Sequence, residues 1–125
     1  MAVEEGLIAI SHPAAIDLDA AGNQYKGVKL GATGVTNFAA ATDLPFGVLQ
    51  NAPKAGDPAR VGVQGVSKVR AGAAITVGQQ LTFNAAGLAV PAVATNYIIG
   101  VAKSAASGTG VVISALISSA NPPKA

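Results

Sequence analysis

The chain has 125 residues, half of them hydrophobic, with eight Lys or Arg, six Asp or Glu and a formal net charge of +2. Its charged fraction of 11% is less than half the roughly 25% of an ordinary soluble domain, which predicts a surface partly covered by copies of itself or by another protein. The lack of cysteine excludes a disulfide framework and thiolate chemistry, and singly scattered cations with few aromatics exclude a nucleic-acid-binding stripe.

In chain order, residues 1–6 are small and acidic. They read as a mobile end, or as an arm able to add a strand to a partner's sheet edge. Strands are predicted near 7–10, 26–30, 46–50, 60–65, 67–70, 80–83, 87–90, 97–103 and 110–117, each a short Val- and Ile-rich run closed by Gly, Pro, Asn or Asp. Asp17 and Asp19 flank a predicted exposed turn; were that segment a strand, its alternation would bring both carboxylates to one face, where they could share a proton or bind a hard cation. The alanines of TNFAAAT at 36–42 and the segment 91–95 allow single helical turns. Gly65 breaks the alternation of Val61, Val63 and Val66, as a bulge or tight bend would. Pro53, Gly56 and Pro58 specify an exposed loop, LTFNAAGLAV at 81–90 reads as a hairpin, and SSANPPKA at 118–125 reads as a frayed tail or a second arm. Such a series of short strands implies a mainly β, compact single domain, a sandwich or barrel with at most short helical turns.

One stretch echoes another. GVKLGATGVTNFAAATDLPFGV (27–48) overlies QLTFNAAGLAVPAVATNYIIGV (80–101) without a gap at an offset of 53, with seven of 22 positions identical. Glycines fall on glycines (34 on 87, 47 on 100), and apolar pairs such as Val28 and Leu81 keep register. A repeated strand-turn-strand unit has this signature.

Chemistry is sparse. The uncharged run between Arg70 and Lys103 is interrupted by Gln79, Gln80, Asn84, Pro91 and Asn96, so it lacks the apolar block of about 18 residues that a membrane span requires. Two early glutamates do not suit a secretory signal, and synthesis in a cytoplasm is expected. The single histidine, His12, has no second histidine to form a metal pair, the serines have no general base, and GVKLGATG lacks the Lys-Ser/Thr ending of a phosphate loop. No enzyme, metal or cofactor is expected. Arg60 and Arg70 stand at predicted strand ends, where a guanidinium could fork onto a carboxylate of a neighbouring subunit.

Ala71, Gly72, Ile75, Gly78, Leu81 and Gly87, followed by Ile99-Gly100-Val101-Ala102 and a β-run at 110–117, resemble the C-terminal half of the small decoration, or cement, proteins of tailed-bacteriophage capsids. The segment around Gly47, FGVLQNAPKAGDPARVGVQG (46–65), fits the same pattern. The resemblance implies a β-tulip-like domain spanning 14–120, with the pseudo-repeat inside it, an N-terminal arm at 1–13 and a flexible tail at 121–125. It further implies a homotrimer on the outer surface of the virion near three-fold positions, in contact with the major capsid protein. By position the arm supplies the capsid-contact candidates Val3, Glu4, Glu5, Leu7, Ile8, Ile10 and His12. The alternatives are another trimeric virion component, such as a head-fibre base or tail part, and a small ligand-binding β module.

Overall fold

The computed structural model describes residues 2–20, 22–119 and 122–124. Nine strands, with no helix among the described residues, run in chain order as β1 (Glu5–Pro13), β2 (Gly27–Gly31), β3 (Gly34–Asn37), β4 (Gly47–Leu49), β5 (Pro58–Arg70), β6 (Gln80–Phe83), β7 (Ala89–Pro91), β8 (Gly100–Ala102) and β9 (Val112–Ser118). They form one curled sheet, a half-barrel, in the order β3-β2-β4-β5-β9-β8-β6-β7, with β1 added against β5. Every pairing between these strands is antiparallel.

That order reads as two similar halves meeting at β5 and β9, and the backbone repeats between them. Gly27 and Val28 of β2 pair with Val48 and Gly47 of β4; 53 residues on, Gln80 and Leu81 of β6 pair with Val101 and Gly100 of β8. Bonds outside the ladders recur too. The Tyr25 amide donates to the Leu49 carbonyl as Gly78 does to Ala102, and Phe46 donates to Val28 as Ile99 does to Leu81. One extra step enters after β8, where Val101 pairs with Leu116 while its counterpart Val48 pairs with Gly62. The first half packs Ala14, Leu18, Val28, Val35, Leu49, Ala59 and Val61 into one core; the second packs Ala71, Ile75, Leu81, Ala89, Ala102, Ile113 and Ala115 into another, joined by Phe38 and Val48. Each half thus buries its own apolar face. Phe38 and Phe83 meet edge-on there, ring centres 5.4 Å apart, a favoured aromatic geometry.

Three readings are corrected. The predicted strands 60–65 and 67–70 are one strand, β5, because Gly65 bends the chain without ending it: its φ is +113°, and a β-carbon there would lie 2.4 Å from the Gly6 carbonyl oxygen. Thr36 and Asn37, expected at the head of a helical turn, instead close β3 against β2. The alanines beyond them form a loop organised by Asp43, whose carboxylate accepts the amides of Ala39 and Ala40. At 91–95 there is a turn, and Asn96 does the same work by accepting the Val93 amide.

Asp17 and Asp19 are used separately as loop ties. The Asp17 carboxylate accepts the Ala55 amide at 2.9 Å, and that of Asp19 lies 3.7 Å from the Lys54 ammonium.

Candidate interaction surface

β1 is built onto β5 by pairs running from Pro13↔Pro58 through Ile10↔Val61 to Glu5↔Val66, with irregularities on both sides of Ile8. Those bulges turn side chains out of simple alternation. Leu7 packs against the larger core, while Ile8 and Ile10 remain 55% and 43% exposed. Two isoleucines facing water on a strand of the sheet edge form a natural contact surface.

The strand is anchored at both ends. Before it, the Val3 amide donates to the Ser114 hydroxyl oxygen at 2.5 Å. Glu4 lies 3.8 Å from Arg60 and Glu5 3.5 Å from Lys103, exposed pairs that contribute at most about 1 kcal/mol each. At the far end the His12 ring meets Phe46 edge-on at 6.2 Å. Val3, Glu4, Glu5, Leu7, Ile8, Ile10, His12 and Arg60 therefore come together along β1 and the first half of β5. Arg70 does not join them: its guanidinium donates to the Gln24 carbonyl at 3.3 Å, at the other end of β5.

Among the motif residues, Ile75 and Leu81 are fully buried in the second core. Gly47 and Gly100 sit where strands approach too closely for a side chain, whereas Gly78 and Gly87 adopt positive φ in turns. Gly72 lies beneath Leu88, whose β-carbon would be 2.7 Å from one added at Gly72.

Beyond Phe46 the surface continues into a groove that the sequence reading missed. It has a volume of about 460 Å³ and is walled by Lys29, Leu30, Leu44, Pro45, Phe46 and Val63, with Gln64 and Ser119 at its ends. Leu30 and Leu44 are little more than half exposed, so a partner covering them would gain about 1–1.5 kcal/mol per side chain. Its residues come from four separated segments, which no sequence signal joins. At the rim the Lys29 ammonium lies 2.9 Å from the Asp43 carboxylate. The Ala39 amide, then Lys29 and the Ala40 amide, all stabilise the charged form and hold the Asp43 carboxyl down at about 2. Among the described residues no three metal-ligating side chains cluster. What the surface offers is apolar area with a few fixed charges, suited to a protein partner.

The sequence model of a family described as phage cement protein matches residues 10–117. No curated protein matches the chain. Among solved structures, the N base of the head fibre gp8.5 of bacteriophage phi29 has a similar fold, with a TM-score of 0.63 and 24% identity over 91% of this chain and 96% of that one.

Proposed function

Because the chain belongs to the phage cement protein family, we propose that it binds the outer surface of the phage head as a homotrimer near three-fold positions, bridges major capsid protein subunits and stabilises the expanded shell against the pressure of packaged DNA. The observation that carries this reading is the apolar face formed by Ile8 and Ile10 on β1 and by Leu30 and Leu44 across the groove, on a chain with few charges. Contacts of this kind are modest singly. A trimer engaging several lattice subunits at once makes later contacts at high effective concentration, so the assembly holds where one copy would not. The work is mechanical, with no catalytic step, cofactor or nucleic-acid contact, and the protein acts in the virion after synthesis in the host cytoplasm.

A second reading, the base of a head fibre, is favoured by the fold shared with the phi29 head-fibre base. Both readings require attachment to the head; they differ in whether the domain itself strengthens the shell.

The test is the mass of the purified protein by light scattering, followed by co-sedimentation with unexpanded and expanded empty shells and the temperature at which those shells open. A trimer that sediments with expanded shells and raises their opening temperature is expected. Binding without any rise would favour the fibre base, and failure to bind either shell would overturn both.

A further inference from the structure

The groove over Leu30, Leu44 and Phe46 has a counterpart in the other half of the molecule, and the chain's own residues 122–124 run along the edge of that counterpart. Since Phe46 bonds Val28 as Ile99 bonds Leu81, and Gly62 and Leu116 are partners of the equivalent Val48 and Val101, Pro45 corresponds to Ile98, Leu44 to Tyr97 and Val63 to Ile117. Ile98, Ile99, Ile117 and Ser118 line a smaller hollow of about 320 Å³, closed on one side by Pro123. Residues 122–124 are held at that edge. The Ile98 amide donates to the Pro123 carbonyl at 2.7 Å, Lys124 pairs with Tyr97 as a β-bridge, and its ammonium stands 4.9 Å from the Tyr97 ring centre.

Connectivity explains why only one of the two is bordered by residues 122–124. Residues 122–124 lie beside Ile98, whereas after Gln64, which corresponds to Ser118, the chain continues along β5 to pair with β9.

We propose that the groove over Leu30, Leu44 and Phe46 binds an extended, proline-containing peptide segment of a partner polypeptide, in the place that residues 122–124 take in the other half. Its chemistry follows from the differences between the two sites. Pro45 has no amide to offer where Ile98 donates one, so the occupant is held mainly by side-chain burial. Prolines suit that demand, since they bring apolar area with little conformational freedom to lose and no amide hydrogen to satisfy. At the rim Asp43 replaces the neutral Asn96, and Leu44 replaces the Tyr97 ring on which Lys124 rests. A basic residue of the occupant therefore finds no ring to rest on and meets an ion pair already closed between Asp43 and Lys29, so the occupant is recognised by its apolar side chains. The proposal deepens the reading of shell attachment, since Leu30 and Leu44 belong to the face invoked there, and a peptide titration without shells tests it separately.

The probe is a synthetic peptide of residues 118–125, SSANPPKA, titrated into the isotopically labelled full chain and followed by amide NMR. Saturable shifts at Lys29, Leu30, Leu44 and Phe46 are expected, absent with a scrambled peptide. Leu44→Asp and Leu30→Asp, both at exposed positions, should each weaken binding about tenfold or more while leaving the spectrum dispersed. No shifts at millimolar peptide would overturn the proposal. So would shifts confined to Ile98, Ile99 and Ile117, which would mean that the peptide only displaces the chain's own segment.

Discussion

Gly47 and Gly100 occupy the same place in the two halves of the molecule. A β-carbon on Gly47 would lie 2.3 Å from the carbonyl oxygen of Gly62, and one on Gly100 would lie 2.1 Å from that of Leu116. Both contacts are with backbone in a paired strand, which cannot swing aside as a side-chain tip can. Gly47→Ala and Gly100→Ala should each destabilise the domain by about 3 kcal/mol, whereas Gly108→Ala, with open space around it, should stay within about 0.5 kcal/mol. Urea midpoints at one fixed protein concentration measure this; equal midpoints for all three variants would contradict it.

Phe83 fills the space where Gly27 lacks a side chain. An added β-carbon at Gly27 would fall 2.2 Å from the Phe83 ring, and the ring itself is almost wholly buried beside Phe38. Phe83→Ala should cost about 3–5 kcal/mol. Gly27→Ala should be harmful alone yet much less so in the Phe83→Ala background, because the ring it strikes is gone. Strict additivity in the double-mutant cycle would show that the two sites do not share this space.

Asp43 links stability to acid. Its folded-state carboxyl is held down at about 2 by the Ala39 amide, Lys29 and the Ala40 amide, while an unfolded aspartate titrates near about 3.9. A depressed value means that the stabilisation is complete above the unfolded value and is lost as pH falls through the folded one, so the window runs from about pH 4 to about pH 2. Asp43→Asn should flatten this part of the stability profile. At neutral pH it should still fold, because Asn96 caps the equivalent loop in the other half. A carboxyl titration by NMR with Asp43 at its ordinary value would remove the basis for the prediction.

The exposed isoleucines of β1 allow binding to be separated from folding. Ile8→Asp and Ile10→Asp should change the unfolding midpoint little, since both side chains already face water, yet should abolish co-sedimentation with expanded shells. Arg60→Ala removes only an exposed ion pair with Glu4 and should alter stability by less than about 1 kcal/mol. Undiminished shell binding by both isoleucine variants would move the contact surface away from β1.

Much of the sheet was legible because its strands are short Val-rich runs bounded by Gly and Pro, and because the repeat marks equivalent places twice. What escaped has physical reasons. Thr36 and Asn37 were drawn toward helix by the alanines that follow, but pairing with Lys29 and Val28 of β2 outweighs so weak a local preference. The break at Gly65 looked like the end of a strand, since a sequence records a positive φ only as a glycine and not as the ladder that continues through it. The arm candidates were chosen by position and lie together along β1; of the two arginines named for a subunit interface, Arg60 lies beside them on β5 and Arg70 at its other end. The groove was invisible because Leu30, Leu44 and Val63 each look like ordinary strand or loop residues until folding places them side by side. Asp43 over Asn96, Leu44 over Tyr97 and Pro45 over Ile98 are the mismatches in the repeat that distinguish the two halves there.

The strand β5 serves both halves, receiving β1 between Pro58 and Val66 and β9 between Gln64 and Arg70. A pull that tries to draw β1 away from β9 along their length therefore runs through one unbroken piece of backbone. The bonds on either side of it lie crosswise to the load, so they share it as the rivets of a lap joint do and must shear together, whereas a peeled strand would lose them one at a time. Resistance of that kind is what the proposed role on an expanded shell would demand.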